Sequence, residues 1–97
     1  MNELQFEWDQ QKAKINEEKH GISFEEDKSV FYDDNARLIY DSEHSQDEER
    51  YILLGISYSL RLLVVCHLYK TNHETIRIIS ARQATKLETK QYRGFLL

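Results

Sequence analysis

Side chains able to hold an anion and move a proton gather in two places along this 97-residue chain: the tripeptide Lys19-His20-Gly21, and the arginines Arg50, Arg61, Arg77 and Arg82 of the second half. A guanidinium is a planar fork that grips two oxygens of an anion at once, and an imidazole exchanges protons near neutral pH. Charge is divided sharply along the chain. Residues 1–49 hold 5 Lys/Arg against 15 Asp/Glu, whereas residues 50–97 hold 8 against 2. Such asymmetry fits a basic surface in the second half that meets an anion, with mutual attraction of the two halves as the alternative. The total of −4 is unusual for a nucleic-acid binder. His44 and His73 lie in loop-like segments without metal-ligand spacing to each other or to Cys66. Neither a glycine-rich phosphate loop nor a nucleophile elbow occurs. Neither a metal nor a cofactor is therefore expected. Cys66, the single cysteine, sits inside the apolar run LRLLVVCHLY and reads as a small buried hydrophobe.

Those residues need elements to position them. Gln5 to Trp8 has Phe6 and Trp8 on one side of a two-residue period, the mark of a first strand. Asp9 then caps a helix through about Lys19, and Gly21 supplies the left-handed residue that ends it, which places Lys19 and His20 in the last turn where cations suit the helix dipole. Ser23 and Glu26 have capping-box spacing ahead of a second helix carrying Phe24, Lys28 and Phe31. A short apolar piece, ARLIYD, precedes a strongly acidic exposed loop, SEHSQDEER. Three strands follow, RYILLGIS, RLLVVCHLY and TIRIISAR, with a turn near Tyr58–Leu60 and a hairpin at KTNHE. In the middle strand Leu62, Val64, Cys66 and Leu68 read as the core face, and Arg61, Leu63, Val65, His67 and Tyr69 as a working face with an apolar floor. His67, about 20 Å from Arg61 along that strand, reads as a sheet-surface histidine. ARQATKLETKQYRGFLL reads as a closing helix.

This order predicts one domain over residues 1–97, a two-layer α+β fold whose antiparallel sheet has helices packed on one face and leaves the other partly open. No Pro and no Gly/Ser-rich linker divides it. With 40% hydrophobic and 31% charged residues the chain suits a globular domain, no window approaches the roughly 18 apolar residues of a membrane span, and no secretion signal is apparent. A cytoplasmic address without membrane contact is the expectation.

Taken in order and spacing, FEWD, NEEKHGISFEE with VFYD, ERYILLGIS, RLLVVCHLY and RIISARQATKLE with Tyr92 closing resemble the BrnT family of bacterial toxins over nearly the whole chain. The resemblance implies the RelE-like ribonuclease-toxin fold, RNA cleavage, and a BrnA-type antitoxin with a ribbon-helix-helix DNA-binding part. It further implies a hetero-oligomer that touches DNA only through the antitoxin. Metal-independent RNA cleavage uses the adjacent 2′-OH as nucleophile, so it requires a base, an acid and cations for the charge growing on phosphorus. Matched to family positions, Lys19, His20, Arg61 and Arg82 become the candidate catalytic residues, and Arg50, Arg77 and Tyr92 the candidate substrate-binding residues. Strict alternation sets Arg77 and Arg82 on opposite faces unless a bulge intervenes. Asp27 departs from the small apolar residue usual at its position and burdens the packing of the second helix. Two rival readings are a non-catalytic partner that modulates an antitoxin's transcriptional control, and a nucleic-acid-binding module with neither role.

Overall fold

In a computed structural model, which describes residues 4–70 and 74–94, the elements run β1 (Gln5–Glu7), α1 (Gln10–His20), α2 (Phe24–Val30), β2 (Arg37–Tyr40), β3 (Tyr51–Ile56), β4 (Leu62–Tyr69), β5 (Thr75–Gln83) and α3 (Lys86–Gly94). The five strands form one sheet in the order β1-β5-β4-β3-β2, antiparallel except that β1 lies parallel to β5. The KTNHE hairpin loop, His73 included, lies mostly outside the described residues. β5 extends to Gln83, so the closing helix starts later than its composition implies, at a reciprocal cap. The Glu88 N–H donates to Thr85 Oγ1 at 3.1 Å, and the Thr85 N–H donates to Glu88 Oε1 at 2.8 Å.

Caps foretold by the sequence hold the first two helices. Asp9 Oδ1 accepts from the Lys12 N–H, Gly21 takes φ 69°, and Ser23 Oγ accepts from the Glu26 N–H. The second half of the capping box is absent, because the Glu26 carboxylate turns away to Arg61, Ser57 and Ser59.

Residues paired across strands share a face, and this reverses the assignment made for β4. Leu63, Val65 and His67 are fully buried with Leu53, Ile78 and Ala81. Ile22, Phe24 and Val30 of the α1–α2 segment cover them. The other face carries Leu62, Val64 and Cys66, over one end of which α3 lays Tyr92. Both faces of LLVVC are apolar, so alternation alone does not decide which one the helices cover. His67 is thus a core histidine. Its Nδ1 meets the Val65 carbonyl at 3.1 Å and Nε2 meets Tyr69 Oη at 3.2 Å, and burial pushes its pKa down to about 4, which keeps it neutral.

A bulge between β4 and β5 changes parity. Cys66 pairs with Ser80 but His67 pairs with Ile78, leaving Ile79 as the extra residue. Arg77 and Arg82 therefore lie on the same face, with Cys66 and Val64.

Close packing of α2 on β3 depends on Gly55. A Cβ there would meet Val30 Cγ1 at 2.9 Å and Asp33 Oδ2 at 3.0 Å. Gly55→Ala is expected to cost about 1–3 kcal/mol in urea unfolding, as overpacking does. Gly94→Ala, where nothing lies within 4 Å, should not lower stability.

Asp27 has no exposed surface, and neither of its carboxylate oxygens has a hydrogen-bond partner. Burial first, and the neighbouring Glu26 charge second, raise its pKa from 3.8 to about 8 against the pull of Arg61. The folded chain keeps this proton up to about pH 8 while the unfolded chain releases it near its ordinary value. Stability contributed by the protonated form is therefore lost as pH rises through that window. Urea midpoints should fall from pH 5 to pH 8 more steeply in the parent than in Asp27→Asn; equal slopes would show that Asp27 is not the titrating group.

Candidate active site

The concave surface begins with a substitution at the sheet edge. β1 pairs with β5 only over Thr75–Arg77, and beyond that point α1 takes over the outer edge of β5. Asn16, the one buried residue of α1, makes the join: its Oδ1 accepts from the Ala81 N–H at 3.1 Å and its Nδ2 donates to the Ile22 carbonyl at 3.3 Å. A helix anchored in this way delivers its C-terminal His20 beside Ser80 and Arg82 on the less covered face.

A cleft of about 260 Å³ opens there. Its floor is the cross-strand row Ile52, Cys66 and Ser80, with Val64 beside it. His20 and Arg82 stand on one side; Asp41, His44 and Arg50 stand on the other. Burial pushes the Cys66 thiol up, so at neutral pH it is floor rather than nucleophile.

His44 is the residue that sequence reasoning passed over. It ends the 3-10 turn Ser42–His44, and its Nδ1 lies 3.0 and 3.2 Å from the two carboxylate oxygens of Asp41. Asp41 is buried and its backbone is fixed: its N–H donates to the Arg50 carbonyl, and its carbonyl accepts from Ser45 Oγ. With Nδ1 engaged, Nε2 is the nitrogen left to a ligand, on a side chain 62% exposed. The available signal was the i, i+3 spacing of Asp41 and His44, which a loop of many acids obscured.

Of the residues singled out from sequence, His20, Arg50 and Arg82 line this cleft together. Arg50 forms no ion pair among the described residues, neither with Glu48 nor with Glu49. Arg82 forms a bidentate pair with Glu88 at 2.8 and 2.9 Å and also donates to the Gln83 carbonyl, bonds that leave two of its five N–H groups for a ligand. The Arg82 guanidinium first, helped by the Thr85 N–H, holds Glu88 down to about 2. Lys19 is exposed in an adjoining groove of about 320 Å³ that shares His20 and Ser80 with the cleft.

Arg61, Arg77 and Tyr92 stand elsewhere. Arg61 projects from the opposite face. Its Nε donates to Glu26 Oε2 at 2.9 Å, its Nη2 to Glu26 Oε1, and Nη2 also reaches the Gly21 carbonyl at 3.2 Å. With Ser57 and Ser59 also donating to it, Glu26 is held at about 2, Arg61 being the largest cause. Arg77 pairs with Glu7 of β1 at 2.7 Å. Tyr92 donates to Asp33 Oδ2 at 2.6 Å, and Asp33 in turn accepts from the Ile56 N–H, which fastens α3 to the turn after α2 and to the end of β3. Among the described residues no three His, Cys, Asp or Glu side chains converge as a metal site, and no helix is long and apolar enough to cross a membrane.

Residues 8–88 match the family model described as ribonuclease toxin, BrnT, of type II toxin-antitoxin systems. The chain belongs to the BrnT family. A toxin of a type II toxin-antitoxin system has an antitoxin partner, so the family implies both a ribonuclease activity and a second protein. The 1.1 Å crystal structure of the Brucella abortus ribonuclease toxin BrnT shares the fold with a TM-score of 0.65 at 22% identity, over 86% of this chain and 99% of that one. No curated protein matches. In this BrnT-family chain the cleft and the Glu26 cluster lie on opposite sides of the sheet.

The two arginine–carboxylate pairs differ in burial, and so in what their loss costs. The Glu26 side chain is 7% exposed and Arg61 33%, against 26% for Glu88 and 44% for Arg82. Arg61→Ala strands a buried carboxylate and is expected to cost about 2–3 kcal/mol, below the range for a fully buried pair because Arg61 itself is partly solvated. Arg82→Ala should cost about 1 kcal/mol or less. Urea unfolding of the two variants side by side measures the difference.

Proposed function

We propose that this BrnT-family chain cleaves RNA in the cleft between His20 and His44 without a metal, by attack of the 2′-OH on the adjacent phosphate. The observation that carries this reading is the grouping of two histidines with Arg50 and Arg82 over one polar-rimmed floor. The four side chains supply the base, the acid and the cations that this reaction requires.

His44 takes the role of base. The Asp41 carboxylate fixes the Nδ1–H tautomer and leaves Nε2 to accept the 2′-OH proton, and it stabilises the imidazolium that results. As the O2′–P bond forms and the P–O5′ bond breaks, His20 delivers a proton to the departing O5′, giving a 2′,3′-cyclic phosphate and a free 5′-OH. Arg82 and Arg50 face the charge that grows on the non-bridging oxygens; Glu88 and Thr85 aim the Arg82 fork. Lys19, one groove away, holds a flanking phosphate. Arg61, Arg77 and Tyr92 act by positioning the elements around the cleft. The neutralising partner is a BrnA-type ribbon-helix-helix antitoxin, through which alone the pair contacts DNA.

Purified protein should cleave RNA in excess EDTA. His44→Ala and Arg82→Ala should each lower the rate about 100-fold or more while unfolding close to the parent. Activity lost to chelation and restored by a divalent ion overturns the mechanism. Parent protein that binds antitoxin but leaves RNA intact points instead to a non-catalytic partner.

A further inference from the structure

β2 ends the sheet without a cover. All four of its residues are exposed, and Leu38, Ile39 and Tyr40 keep 51%, 50% and 48% of their surface in solvent. Edge strands that stay solitary are blunted by inward charges, Pro or bulges. Here Arg37 at the start is the one charge, Pro is absent, and the pairing with β3 runs Arg37 to Leu54 through Tyr40 to Tyr51 without a shift. Acids bracket this edge: Asp34 before it, and Glu43, Asp47, Glu48 and Glu49 after it, all exposed. Such a rim repels a phosphate backbone and attracts a basic polypeptide.

We infer that β2 is the docking edge for the antitoxin, which adds an extended segment of alternating apolar residues, flanked by Lys or Arg, as a sixth strand. Main-chain hydrogen bonds supply affinity in this mode, and alternate side chains supply specificity. The inference concerns regulation of the cleft described above. Its binding part rests on the family's antitoxin and not on the RNA chemistry.

Register gives the functional consequence. Ile39 pairs with Ile52, which pairs with Cys66, so Ile39 continues the row that floors the cleft. Asp41 and His44 follow directly on β2. A strand added outside it lies about 4.8 Å beyond Ile39 and directs every second side chain over the cleft face beside His44. Binding at the edge therefore also covers the histidine.

The test uses the chain and its co-expressed antitoxin. Leu38 faces away from the cleft, so Leu38→Arg should leave RNA cleavage by the free protein unchanged yet weaken antitoxin binding about tenfold or more. Glu48→Lys should weaken binding as well, and the effect should shrink in high salt. Amide exchange over residues 37–40 should slow when the antitoxin binds. Affinities within twofold of the parent, with unaltered exchange at 37–40, overturn the inference. So does protection of 37–40 in the free protein that grows with concentration alongside a sedimenting dimer, since the occupant is then a second copy. Antitoxin binding that depends on β2, in a protein that cleaves no RNA, sinks the cleavage mechanism and leaves this interface standing.

Discussion

The site depends on a single side-chain amide at a sheet edge. A β-strand edge offers unpaired N–H and C=O groups, and those groups must be met by another strand, by side chains or by water. β1 is too short to meet them along the whole of β5. Asn16 meets the Ala81 N–H with one end of its amide and the Ile22 carbonyl with the other, and so ties α1, the α1–α2 turn and β5 at one buried point. Were α1 seated elsewhere, His20 would have no reason to stand beside Ser80. An aliphatic residue at 16 would leave a buried donor and a buried acceptor unmet, at a cost of about 1–3 kcal/mol each.

Around that join the chain separates two uses of the same chemical pair. Beneath the helices Glu26 collects Arg61, Ser57 and Ser59, and a connection with positive φ at Leu60 is held in shape by a carboxylate 31 to 35 residues before the groups it binds. On the cleft side Glu88 orients Arg82 without enclosing it. The first pair makes a joint; the second makes a tool. Electrostatics also sort the surface. The acids counted in the first half are not all turned away from the cleft, because Asp41 lies in it as the partner of His44, whereas Glu43 and Asp47–Glu49 form a rim beside β2.

Much of the fold was legible in local chemistry. Asp9, Gly21 and Ser23 announced α1 and α2, and the order of strands and helices followed from periodicity, because each of these signals is complete within a few residues. Facing was not legible. In LLVVC every position is apolar, so the choice of covered face is made by α1 and α2, far away in sequence. The bulge at Ile79 leaves no mark in RIISAR. For the site, His20, Arg50 and Arg82 were identifiable as residues, but their grouping rests on that unmarked bulge and on the reach of Asn16. Arg61 resembles Arg82 in sequence and differs in its face and in its partner, a buried glutamate that local pattern had assigned to a helix cap. His44 was hidden because an Asp–His contact in an acidic loop has no periodicity to set it apart.

The bulge carries a genetic consequence. Ile79 is the spare residue of β5, the one unit that the alternation on either side passes over. An in-frame loss of its codon would therefore leave Arg77, Ser80 and Arg82 on the cleft face and Ala81 beneath α1, whereas an in-frame gain of one codon between Ser80 and Ala81 would exchange Ala81 and Arg82 between the two faces, sending the arginine under α1. Every side chain of the site would survive such an insertion. A lineage under pressure to disarm such a toxin has, in this strand, a route that needs no substitution and that an inventory of the site's residues would fail to register.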